Sequence, residues 1–305
     1  MALSARAGRC RFRAVFLKTG QKQLRDIYHV APLSIISNFG RMRKLKGLRK
    51  KVYAVWCTTW FVLPFITSYP LFRIMIAKPN RFRHAHNLNR LWAKIQLRMY
   101  LMPVTVQGQE LLDPKQKYVF APNHSSYIDI PMILAAIPGF LNFVGKKSLT
   151  KVPLWGKIYD ALYISVDRDS AISSAKAYIA SKQSLEAGRS VVIFPEGKIS
   201  PESGHTLLPF KDGPFKLAIE KQVPLVPITM PYNHLFLPDV KGKLIIRYHP
   251  LEIIIHQPIP TEGLTIHDLE FLKQQTYSLI QETLHQKNHE HEHRNLTAAG
   301  ALSPA

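Results

Sequence analysis

Six short apolar runs alternate with helical stretches between residues 118 and 286, and that alternation limits the possible folds more than any other feature. Tyr118-Val-Phe-Ala121, Leu162-Tyr-Ile-Ser-Val166, Val191-Val-Ile-Phe194, Leu225-Val-Pro-Ile-Thr229, Leu244-Ile-Ile-Arg-Tyr248 and Ile253-Ile-Ile-His256 have strand length. Several are apolar on both faces, so both faces need cover. Helices are predicted from Asp129 or Pro131 to Ile137, from Ser170 to Ala187 with Gly188 as the stop, from Pro214 to Gln222, and from Thr265 to Gln286. The pattern defines an α/β domain with a largely covered sheet. Pro224 and Pro227 are awkward in a central strand and point to an edge or a bulge.

Two polar clusters follow strand ends, where α/β sheets place their sites. The first is Ala121-Pro-Asn-His-Ser-Ser-Tyr-Ile-Asp129 and the second Phe194-Pro-Glu-Gly-Lys-Ile-Ser200. His124 falls in the strand-to-helix turn, from which a side chain reaches a cleft. Its imidazole can take a proton from an alcohol while the Asp129 carboxylate fixes the tautomer. Ser125 and Ser126 are read as turn or helix-start residues, since the chain lacks the Gly-x-Ser-x-Gly elbow of serine hydrolases. An acceptor that brings its own hydroxyl makes an enzyme nucleophile unnecessary.

The chain resembles the glycerolipid acyltransferases, the family that includes 1-acyl-sn-glycerol-3-phosphate acyltransferases. Four blocks match in order: Asn123-His124 with Asp129, Tyr163-Ile-Ser-Val-Asp-Arg168, Phe194-Pro-Glu-Gly197 and Val223-Pro-Leu-Val-Pro-Ile228. Phe143-Val-Gly-Lys-Lys147 and Phe210-Lys-Asp-Gly-Pro-Phe-Lys216 are also similar to family segments. The resemblance implies a mostly covered mixed sheet behind an N-terminal helical membrane anchor. It makes His124 the general base and Asp129 its orienting partner. It puts Asn123, Glu196, Gly197 and Ser200 at the substrate, and makes Lys146 and Arg168 candidates for phosphate or acyl-carrier contacts. Where the family pattern continues Thr-Arg-Ser after Glu-Gly, this chain has Lys198-Ile199-Ser200. The usual arginine clamp is therefore replaced by Lys198 or Lys211, or is absent; a lysine offers a point charge without the arginine fork. The implied reaction moves a fatty acyl group from acyl-CoA or an acyl carrier protein to the hydroxyl of a lysophospholipid, foremost lysophosphatidate. No permanently bound cofactor or metal is implied.

Charge and hydropathy point to a lipid surface without help from the motifs. The formal charge is +21, and residues 1–51 carry fourteen Lys and Arg against Asp26 alone. No acidic residue then occurs before Glu110. This gap holds Val52–Phe72, twenty-one uncharged residues interrupted by Pro64 and Pro70. As a helix it can just span a bilayer core of about 30 Å, or it can bend into one leaflet. Thioester carriers are cytosolic, and Arg41–Lys51 belongs on the same side. A single crossing would put the site on the wrong face, so a monotopic or re-entrant insertion with the catalytic domain on the cytoplasmic side is expected. From Leu88 to Pro103, Arg90, Lys94 and Arg98 share one helical face, as in an interfacial helix.

The expected organisation is a basic segment over 1–51, membrane-inserting and interfacial helices over 52–103, the α/β acyltransferase domain over 104–287, and a disordered His-rich tail over 288–305. The first forty residues lack a signal-peptide core and are not read as cleaved. Cys10 and Cys57 are too few for a disulfide framework. Two alternatives remain at this point. One is a tafazzin-like transacylase or an acyltransferase for another lysolipid; the other is a non-enzymatic basic protein of membranes or nucleic acid. No nucleic-acid module is visible, and nucleic acid is not expected as a partner.

Overall fold

A computed structural model describes residues 46–199, 206–240 and 243–300. The expectations for residues 1–45, for Ser200 and for residues 301–305 lie outside the described residues. Two helices come first, α1 (Lys46–Ile76) and α2 (Phe82–Met99). Among the described residues seven strands follow: β1 (Val104–Gln107), β2 (Val119–Pro122), β3 (Leu141–Lys146), β4 (Ile164–Val166), β5 (Ser190–Ile193), β6 (Leu225–Thr229) and β7 (Leu251–Ile255). The helices between and after them are α3 (Asp129–Ala136), α4 (Trp155–Leu162), α5 (Ala171–Glu186), α6 (Gly213–Lys221), the short α7 (Asn233–Phe236) and α8 (Leu269–Gly300).

The strands form one mixed sheet in the order β1-β7-β6-β2-β5-β3-β4. Every neighbouring pair is parallel except β6 with β7. Strands β6, β2, β5, β3 and β4 therefore end on one edge. Alternate side chains of the central strands enter different cores, as the two-residue period of a strand requires. Phe120, Val192 and Val226 pack with Ile133, Ile158 and Trp92, whereas Val119, Val191 and Leu225 pack with Phe215, Leu217, Leu272 and Ile280. Both faces of the sheet are thus covered, as the doubly apolar runs demand.

Several elements differ from the sequence reading. Strand β6 lies inside the sheet despite its proline. Pro227 lacks only a donor, and its carbonyl still accepts from His256 N–H at 3.0 Å. The β6–β7 ladder then registers Ile228 with Ile255 and Thr229 with Ile254, just past the proline. Residues 244–248 form no strand; Leu244 and Tyr248 are exposed, and apolar composition without a ladder partner does not make a strand. Leu162 ends α4 rather than opening β4. Strands β1 and β3 escape the apolar-run criterion because Val-Thr-Val-Gln and Leu-Asn-Phe-Val-Gly-Lys mix polar residues into their ladders. Residues 288–300 continue α8 as a mostly exposed helix where a disordered tail was expected; Tyr232 Oη donates to Lys287 O at 3.0 Å, and the Tyr232 and His291 rings lie 5.4 Å apart.

The N-terminal pair also departs from expectation. Helix α1 runs through both Pro64 and Pro70. Near Pro64 the Thr67 and Ser68 hydroxyls donate to the carbonyls of Leu63, Pro64 and Phe65, giving the interrupted ladder further partners. One face of α1 is fixed to the domain: Tyr53 Oη donates to Tyr100 O, Trp56 Nε1 to Met99 O, and Trp92 Nε1 of α2 to Phe61 O. Helix α2 packs one face on the domain. Ala85, Trp92, Ala93 and Leu97 are buried, and Arg90 is half-buried. Its guanidinium caps the end of α3, donating to Leu134 O and Ile137 O at 3.0 Å each and to Gly139 O. A cation at the carbonyl end of a helix satisfies both hydrogen-bonding need and dipole. Arg90→Ala is expected to cost about 2 kcal/mol, since half-buried carbonyls lose a charged donor. Urea unfolding of the variant in micelles checks this, and a loss near zero would deny Arg90 the capping role.

Candidate active site

Strand β2 ends at Pro122, and the next two residues set the site. Asn123 N–H extends the sheet to Ile228 O, and its side chain makes a two-way bridge to β6, with Met230 N donating to Oδ1 at 2.7 Å and Nδ2 donating to Met230 O at 3.2 Å. Its amide is thus engaged. Expected at the substrate, Asn123 instead welds the ends of β2 and β6 below His124.

His124 leaves the sheet into the turn before α3. Its Nδ1 lies 2.8 Å from Asp129 Oδ2, the imidazole is 13% exposed and Asp129 is fully buried. The same Oδ2 accepts Ser125 N–H at 2.9 Å and Ser126 N–H at 3.0 Å, while Oδ1 accepts Asn233 Nδ2 at 2.7 Å. Four donors thus converge on this carboxylate at the first turn of α3. Its oxygen accepts from His124 Nδ1–H, the tautomer that leaves Nε2 with a lone pair. Phe194 stacks on the imidazole at 4.0 Å between centroids and fixes the ring plane. Neither serine completes a triad: Ser126 Oγ donates to Leu237 O, and Ser125 Oγ is buried without a hydrogen bond among the described residues.

Glu196 follows β5, the neighbour of β2, and is also buried. Its Oε1 accepts His124 N–H at 2.7 Å and its Oε2 accepts Leu208 N–H at 3.0 Å. Both oxygens accept from backbone, so Glu196 holds the His124 turn to the segment at Leu208. Burial pushes its carboxyl up to about 6, against the pull of those two bonds and of His124. Gly197 has φ of +73°, and a Cβ there would meet Lys211 Cε at 3.0 Å and Nζ at 3.3 Å. Glycine both permits the left-handed turn and lets Lys211 lie across it.

The remaining expected residues reach the same edge by topology. Lys146 ends β3 and pairs with Val166 of β4, two residues before Arg168. With strands about 4.8 Å apart, these cations stand roughly 10 and 15 Å along the edge from the His124 strand. Lys146, Arg168, Lys198 and Lys211 are all exposed. The edge therefore carries a buried His–Asp pair at one point and a row of solvated cations beside it. Asn233 and Phe194 were not anticipated as site residues. Asn233 had a usable signal, since it lies just beyond the end of β6 as His124 and Glu196 do for β2 and β5.

Comparisons with known proteins agree with this geometry. Residues 103–231 match the family profile described as Acyltransferase. An uncharacterized acyltransferase of Schizosaccharomyces pombe is 32% identical over 187 residues, 59% of this chain and 64% of that protein. The 1-acyl-sn-glycerol-3-phosphate acyltransferase of Limnanthes alba is 29% identical over 68% of this chain and 70% of its own length. The human 1-acyl-sn-glycerol-3-phosphate acyltransferase alpha is 29% identical over 70% and 76%. The crystal structure of the 1-acyl-sn-glycerophosphate acyltransferase PlsC from Thermotoga maritima has the same fold, with a TM-score of 0.64 over 81% of this chain and 98% of that one at 22% identity. Over its α/β domain the chain is similar to the PlsC-like glycerolipid acyltransferases. It spans just under two thirds of the fission yeast relative.

The raised Glu196 carboxyl has a measurable consequence. The folded protein keeps a proton to about pH 6 that the unfolded chain releases near 4.5. Stability due to this group is therefore full below 4.5, falls as pH rises to about 6, and is level above; the loss is about 2 kcal/mol. Urea unfolding across that window reads the gradient, and Glu196→Gln is expected to flatten it. A gradient that persists in the variant would assign it to another group.

Proposed function

We propose that the chain transfers a fatty acyl group from a thioester carrier, acyl-CoA or acyl carrier protein, to the free hydroxyl of lysophosphatidate, giving phosphatidate. The observation that carries this reading is the His124–Asp129 pair: a 2.8 Å bond fixes Nδ1, Nε2 stays available, and among the described residues no serine hydroxyl is bonded to the ring. The names of the plant and human relatives favour the same acceptor.

In this mechanism His124 Nε2 takes the proton of the acceptor hydroxyl as its oxygen attacks the thioester carbonyl carbon. The tetrahedral oxyanion collapses, the carbon–sulfur bond breaks, and the imidazolium returns its proton to the departing thiolate. Asp129 stabilises the imidazolium between the two steps without leaving its four donors. Lys198, beside the position of the missing arginine, and Lys211, whose side chain lies over the Gly197 turn, receive the acceptor phosphate. Lys146 and Arg168, farther along the edge, face the carrier phosphates.

The acceptor comes from a bilayer. Val55, Val62, Leu63 and Ile66 are exposed along α1 and line a shallow apolar groove. Among the described residues one helix, Gly47–Ile76, is long and apolar enough to cross a membrane. Because α1 is bonded to α2 and the domain on its other face, a monotopic insertion on the cytoplasmic side suits it better than a free crossing.

Three measurements test this. His124→Ala is expected to lower kcat by at least about 10³ with an unchanged unfolding midpoint; a fully active variant removes the proposed base. Changing Lys198 and Lys211 together to Gln should raise KM for lysophosphatidate by about tenfold while sparing KM for the thioester. Run against glycerol-3-phosphate, lysophosphatidylcholine and an intact phospholipid without thioester, the same assay identifies the acceptor. Val55→Glu with Ile66→Glu should release the folded protein from vesicles, and undiminished pelleting would contradict the α1 docking face.

A further inference from the structure

The edge of the sheet opposite His124 holds a cavity of about 300 Å³, within the range of small-ligand sites. It lies where β2, β3 and β5 begin, beside the turn that joins α1 to α2. Asn80, Arg83, Asp113, Lys115, Phe140 and Arg189 are among its lining residues. Three cations thus face one carboxylate, and Asp113 Oδ1 already accepts Lys115 N–H at 2.8 Å. Among the described residues no salt bridge involves Arg83, Lys115 or Arg189.

The wall behind is built rather than incidental. The Arg189 guanidinium lies 4.7 Å from the centroid of the Phe140 ring, on which His86 also stacks at 4.6 Å. This contact fixes the direction of a side chain that otherwise loses rotamer freedom on binding. Arg90, with its carbonyl bonds to Ile137 and Gly139, adds a further positive charge close by. Burial, and then the charge of Arg90, push the His86 imidazole down to about 3, so it stays neutral and adds no cation of its own. What remains is a cluster of like charges around an open volume, approaching from the start of α2, the turn before β2 and the start of β5. Such a cluster raises the local potential for anions.

We propose that this cavity binds a phosphomonoester, at a site separate from the reaction edge. A phosphomonoester carries close to two negative charges and presents three oxygens, which suits three cations arriving from three elements better than a carboxylate does. Two sources share this chemistry: a soluble phosphate ester, or the head group of a phosphatidate-type lipid reaching the turn at the end of the apolar helix α1.

The test uses the full-length protein in micelles, titrated calorimetrically with glycerol-3-phosphate as a soluble phosphomonoester. Arg83→Gln, Lys115→Gln and Arg189→Gln combined are expected to remove one equivalent of bound probe while leaving kcat for acyl transfer unchanged. Lys211→Gln, on the reaction edge, should leave that equivalent in place, which separates this site from the proposed acceptor site. Lys115→Gln alone, at an exposed position that does not threaten folding, should weaken the same equivalent by about threefold to tenfold. A control variant removing three exposed cations elsewhere, Lys157, Lys176 and Lys243, should leave the titration unchanged; if it matches the cavity variant, the effect is only surface charge and the site is refuted. Flotation on phosphatidylcholine vesicles, with and without phosphatidate, then identifies the source. Loss of the preference for phosphatidate in the cavity variant assigns a lipid head group, and loss of the titration alone assigns a soluble ester. If neither readout changes, the cavity is no anion site.

Discussion

A buried carboxylate governs the site. Moving an ion out of water costs several kcal/mol unless it is paired and hydrogen-bonded on all sides. Asp129 meets that condition with one imidazole, two backbone N–H groups and the Asn233 amide. Those four donors come from the turn after β2 and from α7, which follows β6. The carboxylate therefore does more than orient His124. It requires the turn, the start of α3 and the start of α7 to be in one arrangement at once, and that arrangement engages Nδ1 and leaves Nε2 available.

The sheet supplies the complementary constraint. Because β6, β2, β5, β3 and β4 are parallel, every loop that follows one of them emerges on the same edge. Asn123 ties the outer ends of β2 and β6 together, and Glu196 ties the β5 loop to the His124 turn. Both residues hold the machinery from below, through backbone partners, while the exposed lysines of the same edge remain free to meet charged substrates. In the proposed reaction, holding and binding are divided between buried and exposed groups on the same loops. The fixed groups are short and hydrogen-bonded; the groups proposed to bind are long, solvated and cationic.

The sequence was most legible where a physical rule left one solution. Doubly apolar runs such as Val191-Val-Ile-Phe194 have to be covered on both faces, and they are. Polar residues directly after such runs had to emerge at a sheet edge, which located His124, Asp129 and Glu196. The reading failed where a residue's partners are remote. Arg90 shares a helical face with Lys94 and Arg98, yet it caps α3 more than forty positions away. Asn123 and Glu196 look like substrate ligands because they are polar and beside the base; only their backbone partners, Met230 and Leu208, reveal them as supports. The 244–248 run has strand composition without a ladder to join, and Pro227 has a ladder position that its composition argues against.

Local chemistry thus determined the α/β class, the His124–Asp129 motif and the long apolar helix, because periodicity, turn residues and charge act between near neighbours on the chain. Only the tertiary structure decided which polar groups face one another. Hydrogen bonds between Asn233 and Asp129, or between Arg90 and the end of α3, join residues separated by long loops. No local pattern encodes them, since their partners are chosen by strand order and by the need to satisfy every buried charge.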